Sequence, residues 1–516
     1  MGEARLQGPG SRGIWYLVSY VGAKLGSHFN TIILNTLILP MKRSLLASIS
    51  FSAFFILFHS CSQNPEPSPM EQIVAGIART SFPDRTITVN PASDTDALPM
   101  LQYAIDSCSL LGGGKVDVAA GEYLLCGSLH LKSNVNLHLQ EGAYLRFSGK
   151  ADDFLPVVLT RFEGTELYGR SPMVYAYHQQ NIAITGSGVI DGQAGVEMGW
   201  WGWDPAAHET GTALHGTPGE LPEKPFVARL RQMGEDLTPV SERVFAEGTK
   251  LRPTCVETYG CSRVLIEGIT IKDSPFWTIH PLYCDNVIVR GVTIDSHFPN
   301  NDGCDPESSS NVLIEDCLFR CGDDAVAIKS GRDADGRRVG RPSERIVIRR
   351  CDFQSECNGL CIGSEMSGGV QGVWMDSIRI GTVKNALYFK SNKDRGGFIR
   401  DVYVSNVTIE KAFGAILRFE TNYFGYHGGN YQAQYEDFDI SHITAGEAES
   451  HAIFYDGNDE KPIRNIKVTD FHVTKALHPW YLYRTEDCSF VDCTVNGEPV
   501  PEHPAESAER QTCDVW

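Results

Sequence analysis

The chain has 516 residues, with 45 Lys and Arg against 64 Asp and Glu, 50 Gly, 26 Pro and 42% hydrophobic content, which excludes a disordered or collagen-like chain. A net charge of −19 argues against a nucleic-acid partner, whose phosphates need a basic face, and gives no general attraction to an anionic membrane surface. A polyanionic ligand would need locally gathered basic residues. The 15 Cys are scattered, odd in number and mostly embedded in apolar runs such as Asp316-Cys317-Leu318-Phe319, so they read as small buried hydrophobes, with no pairing deducible. None is joined to His pairs at zinc spacing, so no structural zinc is expected.

Residues 41–61, MKRSLLASISFSAFFILFHSC, carry a basic start at Lys42 and Arg43, an apolar stretch from Leu45 to Phe58 and a closing cysteine. The pattern resembles a bacterial lipoprotein signal. That resemblance implies lipidation at Cys61 and an exported protein held to a membrane by its lipid anchor alone. A spanning helix is the poorer reading, because the apolar run falls short of roughly 18 residues and is broken by serines. Residues 1–40 precede this segment, which has its own Met41, and are expected to be a non-native upstream extension. Residues 62–85, opening Ser-Gln-Asn-Pro-Glu-Pro-Ser-Pro, are expected to be a polar, Pro-rich tether.

Next, Asp94-Thr95-Asp96 precedes Leu98, Leu101, Ile105 and Cys108, and Gly112-Gly113-Gly114 follows, which predicts one capped amphipathic helix. Beyond it the period changes. Short β-rich bursts recur at Asn134, Asn181, Arg263, Asn286, Asn311 and Arg345, then from Val402, Phe438, Asn465 and Phe490. From Arg263 onward most spacings are roughly 23 to 36 residues, each burst often followed by a turn and a second short strand, as in the coils of a solenoid. A β-sandwich would prefer turns every 8–12 residues or so and hairpin dipeptides that are scarce here. The predicted fold is all-β: a right-handed parallel β-helix over residues 86–500, capped by the N-terminal helix and followed by a tail at 501–516.

The densest polar cluster runs from Pro299 to Gly331 and contains Asp302, Asp323 and Asp324. Asp302 and Asp323 are 21 residues apart, close to one coil, so stacked coils about 4.8 Å apart would bring the three carboxylates together. Crowded carboxylates push at least one to hold a proton near neutral pH. A protonated acid facing ionised bases is what glycosidic hydrolysis uses.

Asn300-Asn301-Asp302-Gly303 followed by Gly322-Asp323-Asp324 resembles the signature of the polygalacturonases, glycoside hydrolase family 28. Further similar segments are Leu131 to Asn134, Ile190-Asp191-Gly192, Trp200-Trp201, Ser274 to Trp277 and Ile362 to Gly369, so the likeness covers roughly residues 86 to 500. The resemblance implies an inverting hydrolase of α-linked galacturonic acid bonds in pectin, acting on pectic polysaccharide or oligogalacturonides without a cofactor. It implies Asp323 as general acid, with Asp302 and Asp324 holding the attacking water. Two positions depart from the family pattern: Asn358 stands where a histidine is usual, and Tyr388 replaces the arginine of an Arg-Ile-Lys segment whose lysine, Lys390, is kept. Losing a bidentate carboxylate clamp points to an altered substrate.

Other candidates flank this cluster. Lys390 and Arg395 would form a carboxylate-binding patch, Lys329 would contact substrate or pair with Asp324, and His280 would reach the cleft or be buried. Asn300, Asn358 and Tyr388 would contact substrate, and Trp200, Trp201 and Trp203 would form a sugar-stacking rim or core. Asp333-Ala334-Asp335-Gly336 resembles the start of a calcium loop but lacks its twelfth-position Glu, so a turn is expected and no metal. The insert from about Gly211 to Arg252 is long enough to wall off one end of a groove, which favours exo action. Competing readings are hydrolysis of another pectic linkage such as galacturonate to rhamnose, a Ca²⁺-dependent pectate lyase, and a non-catalytic carbohydrate-binding solenoid.

Overall fold

The computed structural model describes residues 67–90, 95–194 and 223–511. The signal segment with Cys61, the upstream extension and Trp200, Trp201 and Trp203 lie outside the described residues. The β-rich bursts form successive coils of a right-handed parallel β-helix, and nearly every strand pair is parallel. Register is continuous from end to end: Leu137, Ile184, Ile266, Val289, Ile314, Ile348, Met375, Val404, Ile440, Val468 and Phe490 are lateral neighbours on successive coils. All eleven are buried, so one inward column of side chains runs the length of the core.

The residue that opens seven of the ten bursts has a structural reason. Asn134, Asn181, Arg263, Asn286, Asn311, Arg345 and Asn465 all have φ between 52° and 64°, so each makes the left-handed corner between two sheets of the coil. Asn tolerates that conformation best among non-glycine residues. At one corner the Asn181 amide donates to Asn134 Oδ1 at 3.0 Å, linking adjacent coils.

The helix Leu98–Leu110 forms as expected and buries Leu101, Ala104, Ile105 and Cys108 in the core at the N-terminal end. Its N-cap position is Ala97, with no capping side chain; just before it Asp96 Oδ1 accepts the Leu98 and Cys126 N–H groups at 3.0 Å and ties the helix start to the coil. Residues 67–85 differ from a free tether. Pro69–Gly76 is a helix with a Ser68/Glu71 capping box, and Val74 and Ile77 pack on Ile288, Leu313 and Val347 on the outside of the coils. The following backbone is held at the asparagine corners: Ala78 N–H donates to Asn286 Oδ1 at 2.7 Å, and Ser81 N–H to Asn181 Oδ1 at 2.9 Å. Val74 and Ile77, with Met70 and Ile73 packed beside them, make the stretch a strap.

Three excursions leave the coils on one side. A hairpin pairs Val158–Phe162 with Thr165–Gly169, a helix spans Lys224–Glu235, and a short helix spans Asp333–Val339 where a turn was expected. The hairpin and the insert share a core of Phe162, Leu167, Val227, Leu230, Phe245 and Leu251 that continues into Phe276 and Trp277 of the coil wall. All 13 described cysteines are free thiols and 11 are buried.

Candidate active site

The bridges Ile279↔Cys304 and Cys304↔Val326 stack the Asn300–Gly303 segment directly on the coil carrying Asp323 and Asp324. The two motifs interlock through short side chains and backbone. Asn301 Oδ1 accepts the Gly322 N–H at 3.1 Å, its amide donates to Ser296 Oγ at 2.8 Å, and Gly303 N–H donates to the Asp324 carbonyl at 2.9 Å. A Cβ on Gly303 would lie 2.3 Å from the Phe319 ring, and one on Gly322 would lie 2.5 Å from the Phe298 carbonyl. Glycine at both places is therefore a packing requirement.

Asp302, Asp323 and Asp324 face one another, and their environments drive them apart. Asp324 is buried, which alone would raise its pKa, but the ammonium groups of Lys390 and Lys329 and the Asn358 amide hold it below the ordinary carboxylate value. Lys390 Nζ is 3.0 Å from Asp324 Oδ2, and Asn358 Nδ2 is 2.6 Å from Oδ1. Asp323, partly exposed, is pushed up to about 6 by burial and then by the negative charge of Asp324. Burial and then Asp323 raise Asp302 well above its ordinary value, against the pull of Lys329, whose Nζ lies 3.5 Å from Oδ2. Asp324 is thus the ionised member of the trio, and Asp302 and Asp323 compete for protons. Neighbouring Asp305 is fully buried, and among the described residues neither of its carboxyl oxygens has a hydrogen-bond partner; burial and then Asp302 raise its pKa well above the ordinary carboxylate value. The nearest ligand atoms of Asp323, Asp324 and Cys357 lie within 4.8 Å of one another. Burial raises the Cys357 thiol well above its usual range, with Asp323 and Asp324 adding to the shift, so it is an inert neighbour.

The remaining expected residues divide sharply. Asn358, in the position where histidine is usual, bridges two coils: besides donating to Asp324, its Oδ1 accepts from the Asn385 side chain at 2.8 Å. Lys329 pairs with Asp302 and with Glu365 Oε2 at 3.5 Å, and its Nζ sits 4.5 Å over the Trp277 ring. The expected pairing with Asp324 gives way to these nearer acids on its own side of the floor.

Three residues expected at the ligand are engaged in the scaffold. Arg395 is buried against Asp333, Ser364 and Glu365, so it is no free cation of the cleft. His280 lies buried between Glu257 at 3.2 Å and Glu307 at 2.9 Å. Burial alone would lower it, but those two acceptors carry it up to about 9, and Arg161 closes the network on Glu307 at 2.9 Å. Tyr388 points its hydroxyl at Glu420, one coil on, which is itself paired with Arg418 at 3.0 Å. Asn300 adopts a left-handed corner with φ 57°, and its Oδ1 accepts from Arg252 at 2.9 Å.

Sequence reasoning missed Arg252, Glu365 and Tyr423. Arg252 at the end of the insert is held by Glu223 within it and donates to the carbonyls of Pro275 and Pro299 and to Asn300, so the insert braces the Asn-Asn-Asp-Gly loop. Tyr423 lies 5.3 Å from Lys390 Nζ across a loop with no motif to mark it. Glu365 stood in a quoted segment, but nothing in its spacing named Lys329 as its partner.

Residues 241–495 match the model of the glycosyl hydrolases family 28. The exopolygalacturonase of Thermotoga maritima is similar in structure, with TM-score 0.74 and 37% identity, covering 83% of this chain and 96% of that one. A probable polygalacturonase of Vitis vinifera is 30% identical over 333 residues, or 62% of this chain, and the match spans 58% of that protein's length. An endo-polygalacturonase of Pectobacterium carotovorum is 26% identical over 402 residues, covering 74% of this chain and 86% of that protein.

Proposed function

The chain belongs to glycosyl hydrolase family 28 and is a glycoside hydrolase, and from that premise we propose that it removes galacturonic acid units from the end of pectic galacturonan by single displacement. The carrying observation is the opposed pair Asp323, raised to about 6, and Asp324, lowered by Lys390 and Lys329 against its burial. Two titratable groups pushed apart in this way define an acid and a base. Asp323 gives its proton to the glycosidic oxygen as the C–O bond breaks. A water oxygen bonds to the anomeric carbon, and its proton passes to Asp324, with Asp302 beside it.

The close approach of Asp323 and Asp324 falls short of the roughly 6.5–9.5 Å common among inverting enzymes. We nonetheless favour inversion, because both Asp324 oxygens are already engaged, by Asn358 and Lys390, in a buried pocket. A carboxylate so held can orient a water but cannot swing to form an ester. Exo action is supported by the insert, whose apolar core runs through Phe162, stacked 4.4 Å from Phe276, to Trp277 and so to Lys329. Export as a lipid-anchored protein through Cys61 completes the proposal, resting on the signal pattern alone.

Proton NMR and chromatography of products from defined oligogalacturonides test these points together, beside Asp323→Asn. Saturated galacturonate monomer released from the first turnover as the β-anomer, with rates down at least about a hundredfold in the variant, is the expected result. An α-anomer first product would refute single displacement, and a ladder of intermediate oligomers would refute exo action. The Tyr388 hydroxyl turned to Glu420 favours one second reading, a galacturonate–rhamnose bond, which release from rhamnogalacturonan oligomers and not from galacturonan would establish.

A further inference from the structure

We infer that the loop of residues 421–433 is a stacking platform for the pyranose rings of an acidic oligosaccharide beyond the bond being cut. This rests on the galacturonan reading and concerns residues which that reading does not use. Phe424, Tyr426 and Tyr431 are 57%, 48% and 50% exposed. Among the described residues the other exposed aromatic rings, such as Tyr403 and Phe413, stand singly in sequence; three within eight residues occur here alone. Exposed aromatic surface gathered in one place beside a cleft marks a binding surface.

The loop is held in shape by its backbone. The buried carboxylate of Asp394 accepts the His427 N–H at 2.6 Å and the Gly429 N–H at 2.7 Å, Tyr423 N–H donates to the Ser391 carbonyl at 2.9 Å, and Tyr431 N–H donates to the Lys393 carbonyl at 2.7 Å. Rings on a pre-organised loop lose little freedom when a ligand settles on them. The platform is also continuous with the catalytic residues. The Phe424 ring is 4.2 Å from that of Tyr423, which lies 5.3 Å from Lys390 Nζ, the group clamped to Asp324. The Asp333–Val339 helix, whose Ala334 N–H donates to Glu235 Oε1 of the insert at 3.2 Å, reaches the same loop through Arg337, so the platform is braced from the insert side as well.

Charge agrees with the ligand class. In a chain of net −19, the Arg337 guanidinium lies 3.5 Å over the Tyr431 ring, and Lys393 belongs to the same pair of loops. A sugar face sits on an aromatic ring through its C–H groups, while its carboxylate meets these cations. A neutral polysaccharide would use the rings and leave the cations idle.

The test compares the full chain with a Phe424→Ala/Tyr426→Ala double variant on galacturonate dimer and hexamer. KM for the hexamer should rise about tenfold more than KM for the dimer, with Phe424→Trp restoring the hexamer value, given ~0.5–1.5 kcal/mol per aromatic contact. Equal changes at both lengths, or none, would overturn the platform. Calorimetric titration of hexamer into Asp323→Asn, with and without the double substitution, separates the two ideas. Hexamer binding that the double substitution weakens, while the parent chain with Asp323 intact releases no product from the hexamer, would uphold the platform and refute hydrolysis of galacturonan. No hexamer binding at all would refute both.

Discussion

Lys390→Met removes the charge that decides which aspartate is ionised, while keeping an unbranched stem of similar length. The ammonium sits 3.0 Å from Asp324 Oδ2, and both groups are buried. At an effective dielectric of 20, unit charges at that distance attract by about 5 kcal/mol, and breaking a buried pair by removing one partner costs ~3–5 kcal/mol. Burial is the largest influence on Asp324 and acts upward, so losing Lys390 moves its pKa up, with only Lys329 and Asn358 left to oppose the rise. The base is then weakened and its pocket unbalanced, and kcat should fall at least about a hundredfold. The sign of the pH effect is fixed as well: the native Asp324 is depressed and works above its low pKa, whereas the variant must be driven to higher pH before Asp324 ionises. Initial rates of reducing-sugar release between about pH 4 and 9, with circular dichroism to confirm folding, measure both. A folded Lys390→Met protein that keeps kcat within about threefold and an unmoved acid limb would refute the assignment of Asp324 as base and Lys390 as its counter-ion.

Two further expectations concern residues outside the acid pair. Glu315, though buried, is held down at about 2 by Arg349, Arg290 and Arg350. Because that lies below the unfolded value of about 4.3, its stabilisation is present above that pH and is lost as pH falls toward 2. Glu315→Gln should therefore cost roughly 2 kcal/mol at pH 7, after discounting for the half-exposed Arg350, and its urea denaturation midpoint should converge with the parent's near the acid end. Tyr388→Phe should lower stability by about 1 kcal/mol, since Glu420 keeps Arg418, and leave KM within about twofold. A tenfold rise in KM would place the hydroxyl at the ligand after all.

The repeat was legible because a solenoid turns one coil of sequence into one lateral step of about 4.8 Å, so a recurring apolar burst is also a recurring place in the core. The same rule brought Asp302 beside Asp323 and Asp324 from their 21-residue separation. What escaped lies off the coils or depends on competition between near neighbours. Lys329 and Lys390 both stand near the acids, and only their heights on the floor decide that one takes Asp302 and the other Asp324. Arg395 looked like a free cation because its partner Asp333 is 62 residues away along the chain. Residues 67–85 looked like a tether because Val74 and Ile77 are too few to signal a docked helix until the groove they fill is seen.

The sequence by itself determined the β-helix, its capping helix and the acidic trio, since each follows from periodicity or from a spacing of one coil. Tertiary structure alone decided the chemistry within that frame: which carboxylate is partly exposed, which is clamped by an ammonium, and how the Asn358 amide joins Asp324 to Asn385. The reason is physical. Coil period is a local property of the chain, whereas a pKa is set by burial and by charges that arrive from other coils and from excursions with no period at all.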